Sequence, residues 1–262
     1  MPQISVIMSV FNEDPDFLRK SIGSILSQNF QDFEFVIIDD GSSESVEKIL
    51  TSYADTDQRI ILIRNDENIG LTKSLNKAIR ASTSAFIARM DSDDVAFPNR
   101  LERQLDFLKE NNYDFIDSDR ILIDRIGNTL QERKREVPKN LKKALMKGNF
   151  FTHSTFFGKK VVFQTGYNEL YPRAQDYEFL LRILGEGYSI GFMEEPTLKY
   201  RVHEAGISNR KAREQELCAL RARWDAITKH GFEWKYFPYL LRSFFILLIP
   251  YEVKKSLILK RK

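Results

Sequence analysis

Residues 4–40, ISVIMSVFNEDPDFLRKSIGSILSQNFQDFEFVIIDD, decide the fold because their hydrophobic period changes twice. ISVIMSVF is a short apolar run. DPDFLRKSIGSILSQ repeats Phe17, Ile22, Ile25 and Leu26 at helical spacing, and FEFVIID is apolar throughout again. Asp14 ahead of Pro15 marks a helix start, since proline has no N–H to leave unpaired and its fixed φ suits the first helical position. The stretch therefore reads strand, helix, strand.

The alternation continues outward from there. SESVEKILTSYA reads as a helix, RIILIRN as a third strand, and LTKSLNKAIRAS as a helix with Leu71, Leu75, Ala78 and Ile79 on one side. AFIARMD is the fourth strand and PNRLERQLDFLKEN the helix after it. Strands that are apolar on both faces, with helices between them, imply an open parallel α/β sheet with right-handed crossovers. Such sheets bind ligands beyond the carboxyl ends of their strands. Here those ends read FNED, DDGSS, NDENIG and DSDD, so the polar groups are expected along one edge.

Past about residue 112 the alternation stops. DFIDSDRILIDRIGNTLQE suggests two strands around a Gly127-Asn128 turn, PKNLKKALMKG a short helix, and FFTHSTFFGKKVVF a strand or loop. DYEFLLRILGEG reads as a helix, EPTLKYRVHEAGIS as extended chain, and NRKAREQELCALRARWDAITKHG as a long charged helix. The expected layout is an open-sheet half at 1–112, a mixed half at 113–210 forming the other wall of a cleft, and C-terminal helices at 211–262.

Composition narrows the function classes. Of 262 residues, 42% are apolar and 29% charged, an ordinary globular balance, and a net charge of +3 does not point to a nucleic-acid partner. The lone Cys218 excludes an internal disulfide, fits a reducing cytosol and reads as a buried structural thiol. MPQISVIMSV has no basic region or cleavage site, and no stretch reaches the roughly 20 apolar residues needed to span a bilayer. KYFPYLLRSFFILLIPYEVKKSLILKRK combines apolar, aromatic and basic residues. It suits either an anionic membrane surface or packing on the protein itself.

The first strand end, VFNEDPD, lacks the glycines of a dinucleotide fingerprint and of a phosphate-binding Walker loop. Carboxylates stand there instead. Asp91, Asp93 and Asp94 fall within four positions, and a divalent cation with a substrate phosphate is one arrangement that would make their clustering favourable. A helix cap at Asp93 or Asp94, with the others solvated, is the other.

The block at residues 5–44 resembles the amino-terminal signature of glycosyltransferase family 2, and NIGLTKSLNKAI, ARMDSDDVAFPNRLERQ, AQDYEFLLRI and YRVHEAGIS extend the resemblance to about residue 210. It implies a GT-A fold and inverting transfer of a sugar from a nucleotide diphosphate donor, UDP-sugar foremost, with Mn2+ or Mg2+ as cofactor. It implies that Val10, Phe11 and Asp40 hold the nucleoside, Asp40 by a hydrogen bond to the base, while Asp39 steadies the loop. Asp91 and Asp93 become the metal and ribose motif, with Asp93 on the metal, and Asp94 is left as a helix cap. Leu75 stands where many members carry arginine, so Lys73 is the candidate replacement charge. Asp176 is implied as catalytic base, with Gln175 beside it. His203 is implied as metal ligand, Arg201 as a phosphate contact, and His153 as a sugar or acceptor contact. His230 reads as a surface residue, and Trp224 and Trp234 as packing or interfacial groups. By analogy with bacterial relatives, the acceptor is expected to be a saccharide linked to a lipid such as a polyprenyl diphosphate, at the inner face of the cell membrane. A nucleotidyltransferase and a non-catalytic membrane scaffold are the rival readings.

Overall fold

The computed structural model describes residues 1–131, 135, 138–202 and 209–248. These residues form two compact units: Met1–Val137 with Phe151–Glu169 and Tyr188–Glu204, and Pro138–Phe150 with Leu170–Gly187 and Ala205–Lys262.

The first unit opens as its sequence dictates. Strand β1 (Ile4–Val10) leads into helix α1 (Pro15–Leu26). The Asp14 side chain accepts the Asp16 N–H at 3.0 Å, satisfying one of the donors that a helix start leaves unpaired. Helix α1 buries Phe17, Leu18, Ile22 and Ile25. Strand β2 (Phe33–Asp39), helix α2 (Glu44–Thr56), strand β3 (Ile60–Arg64), helix α3 (Leu71–Ala81) and strand β4 (Phe86–Arg89) follow. β3, β2, β1 and β4 lie side by side and parallel. The core between this sheet and its helices takes in Val6, Met8, Leu18, Phe35, Ile37, Leu50, Leu101 and Leu105. Each such side chain withdrawn from water contributes about 1.5–3 kcal/mol.

Beyond β4 the sheet becomes mixed. Strand β5 (Val95–Ala96), helix α4 (Arg100–Glu110), strand β6 (Phe115–Ile123), strand β7 (Thr129–Gln131), strand β8 (Phe157–Lys159) and strand β9 (Ile190–Arg201) complete the order β3-β2-β1-β4-β8-β6-β9-β5, with β7 on β6. β8 runs antiparallel between β4 and β6. The β6–β7 hairpin turns where Gly127-Asn128 was expected, with the Asp124 carboxylate accepting the N–H groups of Ile126, Gly127 and Asn128. FFTHSTFFGKKVVF resolves into a 3-10 turn (His153–Thr155), β8, and a single helical turn beyond it.

The second unit is helical. Its helices are α5 (Leu141–Lys147), α7 (Gln175–Gly185), α8 (Asn209–Lys229) and α9 (Phe237–Leu248), where α6 is the short turn Lys160–Phe163 of the first unit. Tyr171 Oη donates to Asp225 Oδ2 at 2.7 Å, and Arg223 Nε donates to the Met146 carbonyl at 3.0 Å. Gly185 lets α7 approach the chain at His230 so closely that a Cβ there would sit 2.0 Å from the His230 carbonyl oxygen. His230 is accordingly half-buried rather than a surface group, and its burial lowers its pKa. Cys218 is half-buried, not enclosed. No described helix is long and apolar enough to cross a membrane.

Candidate active site

The parallel register collects polar groups on one edge of the sheet. Val10 pairs with Asp39, and Asp39 with Arg64, so three strand ends fall in one row. Val10 is buried, and Phe11, just past the strand, is 49% exposed. Asn12 sits at φ +49, an uncommon conformation that asparagine tolerates, and its side chain accepts the Ser43 N–H at 2.8 Å. Asp39 steadies the next loop: it accepts the Ser42 N–H at 2.9 Å and pairs with Arg64.

Asp40 is buried, and its carboxylate holds the chain itself. Oδ1 accepts from Asn65 Nδ2 at 2.8 Å and the Ile69 N–H at 2.9 Å, while Oδ2 accepts the Gly70 N–H at 2.9 Å. Three donors on one carboxylate fix the 65–70 loop against the end of β2. Gly41 between them has φ +73, and a Cβ there would lie 2.6 Å from the Glu67 backbone carbon. Leu75 is fully buried on α3 and Lys73 is exposed there. A second cation on α3, absent from the sequence-based expectations, reaches this loop: Lys77, whose Nζ donates to Asn65 Oδ1 at 2.7 Å.

The acid triplet lies between β4 and β5. Asp91, Asp93 and Asp94 each bring a carboxylate oxygen within 4.8 Å of the others. Their repulsion is met from inside the protein. Arg89, 2% exposed, pairs with Asp91, and fully buried Arg100 donates to the Arg89 carbonyl at 2.6 Å and the Ser154 carbonyl at 2.8 Å. Burial lowers Arg100 to about 10, so it stays cationic at neutral pH. The two guanidiniums act electrostatically on Asp91 and Asp94. Buried arginine thus offsets part of the clustered charge.

Asp94 is not a helix cap. Residues 95–96 first pair with β9, and α4 begins only at Arg100, with Asn99 before it. Asp94 is 0% exposed, and its Oδ1 accepts the Arg201 backbone N–H at 2.8 Å. Burial, then Asp91 and Asp93, raise its pKa well above the usual carboxylate range. The Arg201 guanidinium, expected at a phosphate, donates instead to the carbonyls of Asp93 at 2.9 Å, Asp124 at 3.1 Å and Arg125 at 2.8 Å, and lies over the Phe17 ring. It clamps the acid loop. Ser92 Oγ donates to Glu13 Oε2 at 2.8 Å, tying this loop to the end of β1.

The donor set suits a hard divalent cation. It offers carboxylate oxygens gathered at one point, and among the described residues Asp94 Oδ2 is buried without a close hydrogen bond, although the Ser154 hydroxyl acts on this carboxyl. Tyr200, which the sequence reading did not single out, is brought beside these acids by the β5–β9 and β6–β9 pairing. Burial, then Asp91, Asp94 and Asp93, raise its phenol to about 12. The Arg120 guanidinium covers its ring at 5.2 Å.

His153 Nε2 shares a hydrogen bond of 2.8 Å with Tyr167 Oη. Burial, then Arg89, lower its pKa well below the usual histidine value, so the ring is neutral at pH 7. Behind it Asp117 is fully buried, accepts from Thr155 and Thr152, and pairs with Arg135. Burial raises Asp117 to about 6 against the opposing pull of Arg135.

In the second unit, Gln175 and Asp176 open α7 after Ala174, which has left-handed backbone. Asp176 is partly exposed, and its Oδ2 accepts from Asn149 Nδ2 at 2.8 Å. His203 lies outside the described residues, as do residues 249–262.

Comparison with known proteins agrees with this architecture. The family model for glycosyl transferase family 2 matches residues 5–179. An uncharacterized glycosyltransferase of Methanocaldococcus jannaschii is 34% identical over 98% of this chain and 93% of its own. The O-antigen biosynthesis glycosyltransferase WbnJ of Escherichia coli is 36% identical over 78% of this chain and 81% of its own. The crystal structure of S. aureus TarS 1–349 in complex with UDP matches with a TM-score of 0.70 at 17% identity, covering 98% of this chain and 78% of that one. Mannosyltransferase PcManGT from Pyrobaculum calidifontis, in complex with GDP-Man and Mn2+, matches with a TM-score of 0.68 at 17% identity, covering 94% and 70%. The sheet is that of the GT-A fold.

Proposed function

The chain belongs to glycosyltransferase family 2, and from that premise we propose that it is an inverting, metal-dependent enzyme transferring a sugar from UDP-sugar to a saccharide acceptor. The observation that carries this reading is the carboxylate cluster at the carboxyl edge of a parallel sheet, its oxygens within 4.8 Å of one another. Asp93 and Asp91 would hold Mn2+ or Mg2+, whose charge offsets the charge that grows on the leaving diphosphate. His203 is proposed as a further ligand. Phe11 and the backbone at Val10 are assigned to the nucleoside, and Asp39 and Asp40 shape its loop. Lys73 and the neighbouring Lys77 are the candidate donor cations on α3. Asp91 is also a candidate for the ribose.

Asp176 is assigned as the base. It takes the proton of the acceptor hydroxyl as that oxygen bonds to the anomeric carbon, and the bond to the nucleoside diphosphate breaks on the opposite face. A single displacement of this kind inverts the anomeric centre. His153 and Gln175 are assigned to sugar or acceptor contacts, with neutral His153 able to donate or accept. Relatives named for O-antigen and amylovoran biosynthesis favour a surface-polysaccharide acceptor, which we place on a lipid carrier such as a polyprenyl diphosphate. The exposed Trp234, Leu241, Phe244 and Phe245 of the second unit favour attachment of the C-terminal region to an anionic membrane surface at its cytoplasmic face.

Thermal unfolding with UDP, with and without Mn2+, tests the core of this reading. At a ligand concentration 100 times Kd the protein gains about 2.7 kcal/mol, and that gain is expected only when metal and nucleotide are both present. Asp176→Asn is expected to keep the shift and to lose about 10²–10⁴-fold in nucleoside diphosphate release. Metal-independent binding, or near wild-type turnover of the variant, defeats the respective assignment. Failure of UDP to bind under any condition favours a non-catalytic scaffold.

A further inference from the structure

Arg89 faces the acid triplet from a side that solvent does not reach. It ends β4, its side chain is 2% exposed, and it is held by its backbone: its N–H donates to the Phe156 carbonyl at 2.8 Å, and its carbonyl accepts from Arg100. Its guanidinium pairs with Asp91, whose side chain remains 32% exposed. Asp91 is therefore approached by an arginine from within and is open to a cation from without.

Three further atoms show that this arrangement is incomplete. Among the described residues Arg89 Nε and Nη1 are buried with no hydrogen-bond partner, and Oδ2 of Asp94 makes no close hydrogen bond, although the Ser154 hydroxyl acts on this carboxyl. A buried guanidinium with two unpartnered nitrogens is costly, and the Asp94 carboxyl nearby leaves an alternative pairing open. Asp91 and Asp94 both act on the Arg89 charge.

We propose that Arg89 is a positioning residue that competes with the divalent cation for Asp91. In the nucleotide-free protein it occupies Asp91 and keeps cation affinity low. When nucleoside diphosphate and cation arrive together, Asp91 turns to the cation and Arg89 re-pairs with Oδ2 of Asp94. The diphosphate is needed because its negative charges offset the repulsion between the incoming cation and two buried guanidiniums. Metal and donor therefore load as one unit. This inference rests on the metal-dependent reading above and adds the residue that sets the order of loading.

Free Mn2+ measured by electron paramagnetic resonance, with and without UDP, tests it on the full chain. Wild type is expected to bind Mn2+ at least tenfold more tightly with UDP than without. Arg89→Gln removes the competing charge, so its nucleotide-free Mn2+ affinity should rise about tenfold and the effect of UDP should shrink. Arg89→Lys keeps the charge but reaches Asp91 less well, and should rise about threefold. Circular dichroism confirms the fold, and whichever variant folds decides the matter. Unchanged nucleotide-free Mn2+ affinity in a folded variant, with wild type binding Mn2+ in the presence of UDP, overturns the competition alone. No Mn2+ bound by wild type even with UDP overturns the metal-dependent reading, and the competition with it.

Discussion

Asp40→Asn separates two roles for the second acid of DDGS. If Asp40 serves only the nucleotide, the variant should be as stable as wild type without ligand. The structure argues otherwise, because the buried carboxylate accepts from Asn65 Nδ2 at 2.8 Å, the Ile69 N–H at 2.9 Å and the Gly70 N–H at 2.9 Å. Asparagine has one oxygen. If that oxygen keeps Asn65 and Ile69, the new amide group opposes the Gly70 N–H, and a donor is left unsatisfied at a cost of about 1–3 kcal/mol. The two retained bonds also lose the strengthening that an ionised acceptor provides. The combined loss is about 3 kcal/mol, or roughly 6–12 °C in Tm for a chain of this size. Thermal and urea unfolding of the nucleotide-free protein at pH 7.5 measure it. Amide exchange at Ile69 and Gly70 should accelerate alongside. A nucleotide-free variant with wild-type midpoint and wild-type exchange would refute the argument that Asp40 builds the loop.

Two further outcomes follow from the same edge of the sheet. Gly41→Ala forces a side chain into left-handed backbone, at about 1–2 kcal/mol, and places a Cβ 2.6 Å from the Glu67 carbon and 2.9 Å from the Asn68 nitrogen. Both neighbours are backbone and cannot rotate away, so urea unfolding should show a loss of about 2–4 kcal/mol, with weaker nucleotide binding. His153 is held neutral by burial and by Arg89, whereas the unfolded chain takes up a proton near pH 6.5. Stability from this residue is therefore complete above pH 6.5 and is lost as pH falls, by up to about 1.4 kcal/mol per unit. His153→Gln, which keeps a partner for Tyr167, should reduce the stability difference between pH 7.5 and 5.0 by up to about 2 kcal/mol, measured by urea midpoints; an unchanged difference would place His153 outside this linkage.

The α/β alternation, the helix start at Asp14-Pro15, the Gly127-Asn128 hairpin and the row of polar strand ends were legible in the sequence. Each of these depends on neighbours a few residues apart, and in parallel strands the register then aligns Val10, Asp39 and Arg64 without further information. What those polar groups do depends on residues brought to them from far along the chain. Arg100 comes to the acid triplet along α4, and Arg201 comes from a strand more than a hundred residues later, as does Tyr200. Asp94 looks like a cap in the sequence, but pairing of residues 95–96 with β9 delays the helix to Arg100. The physical reason is common to all of them. Burial and charge pairing act across space, so whether a carboxylate meets water, an arginine or a metal ion depends on which distant strand lies beside it.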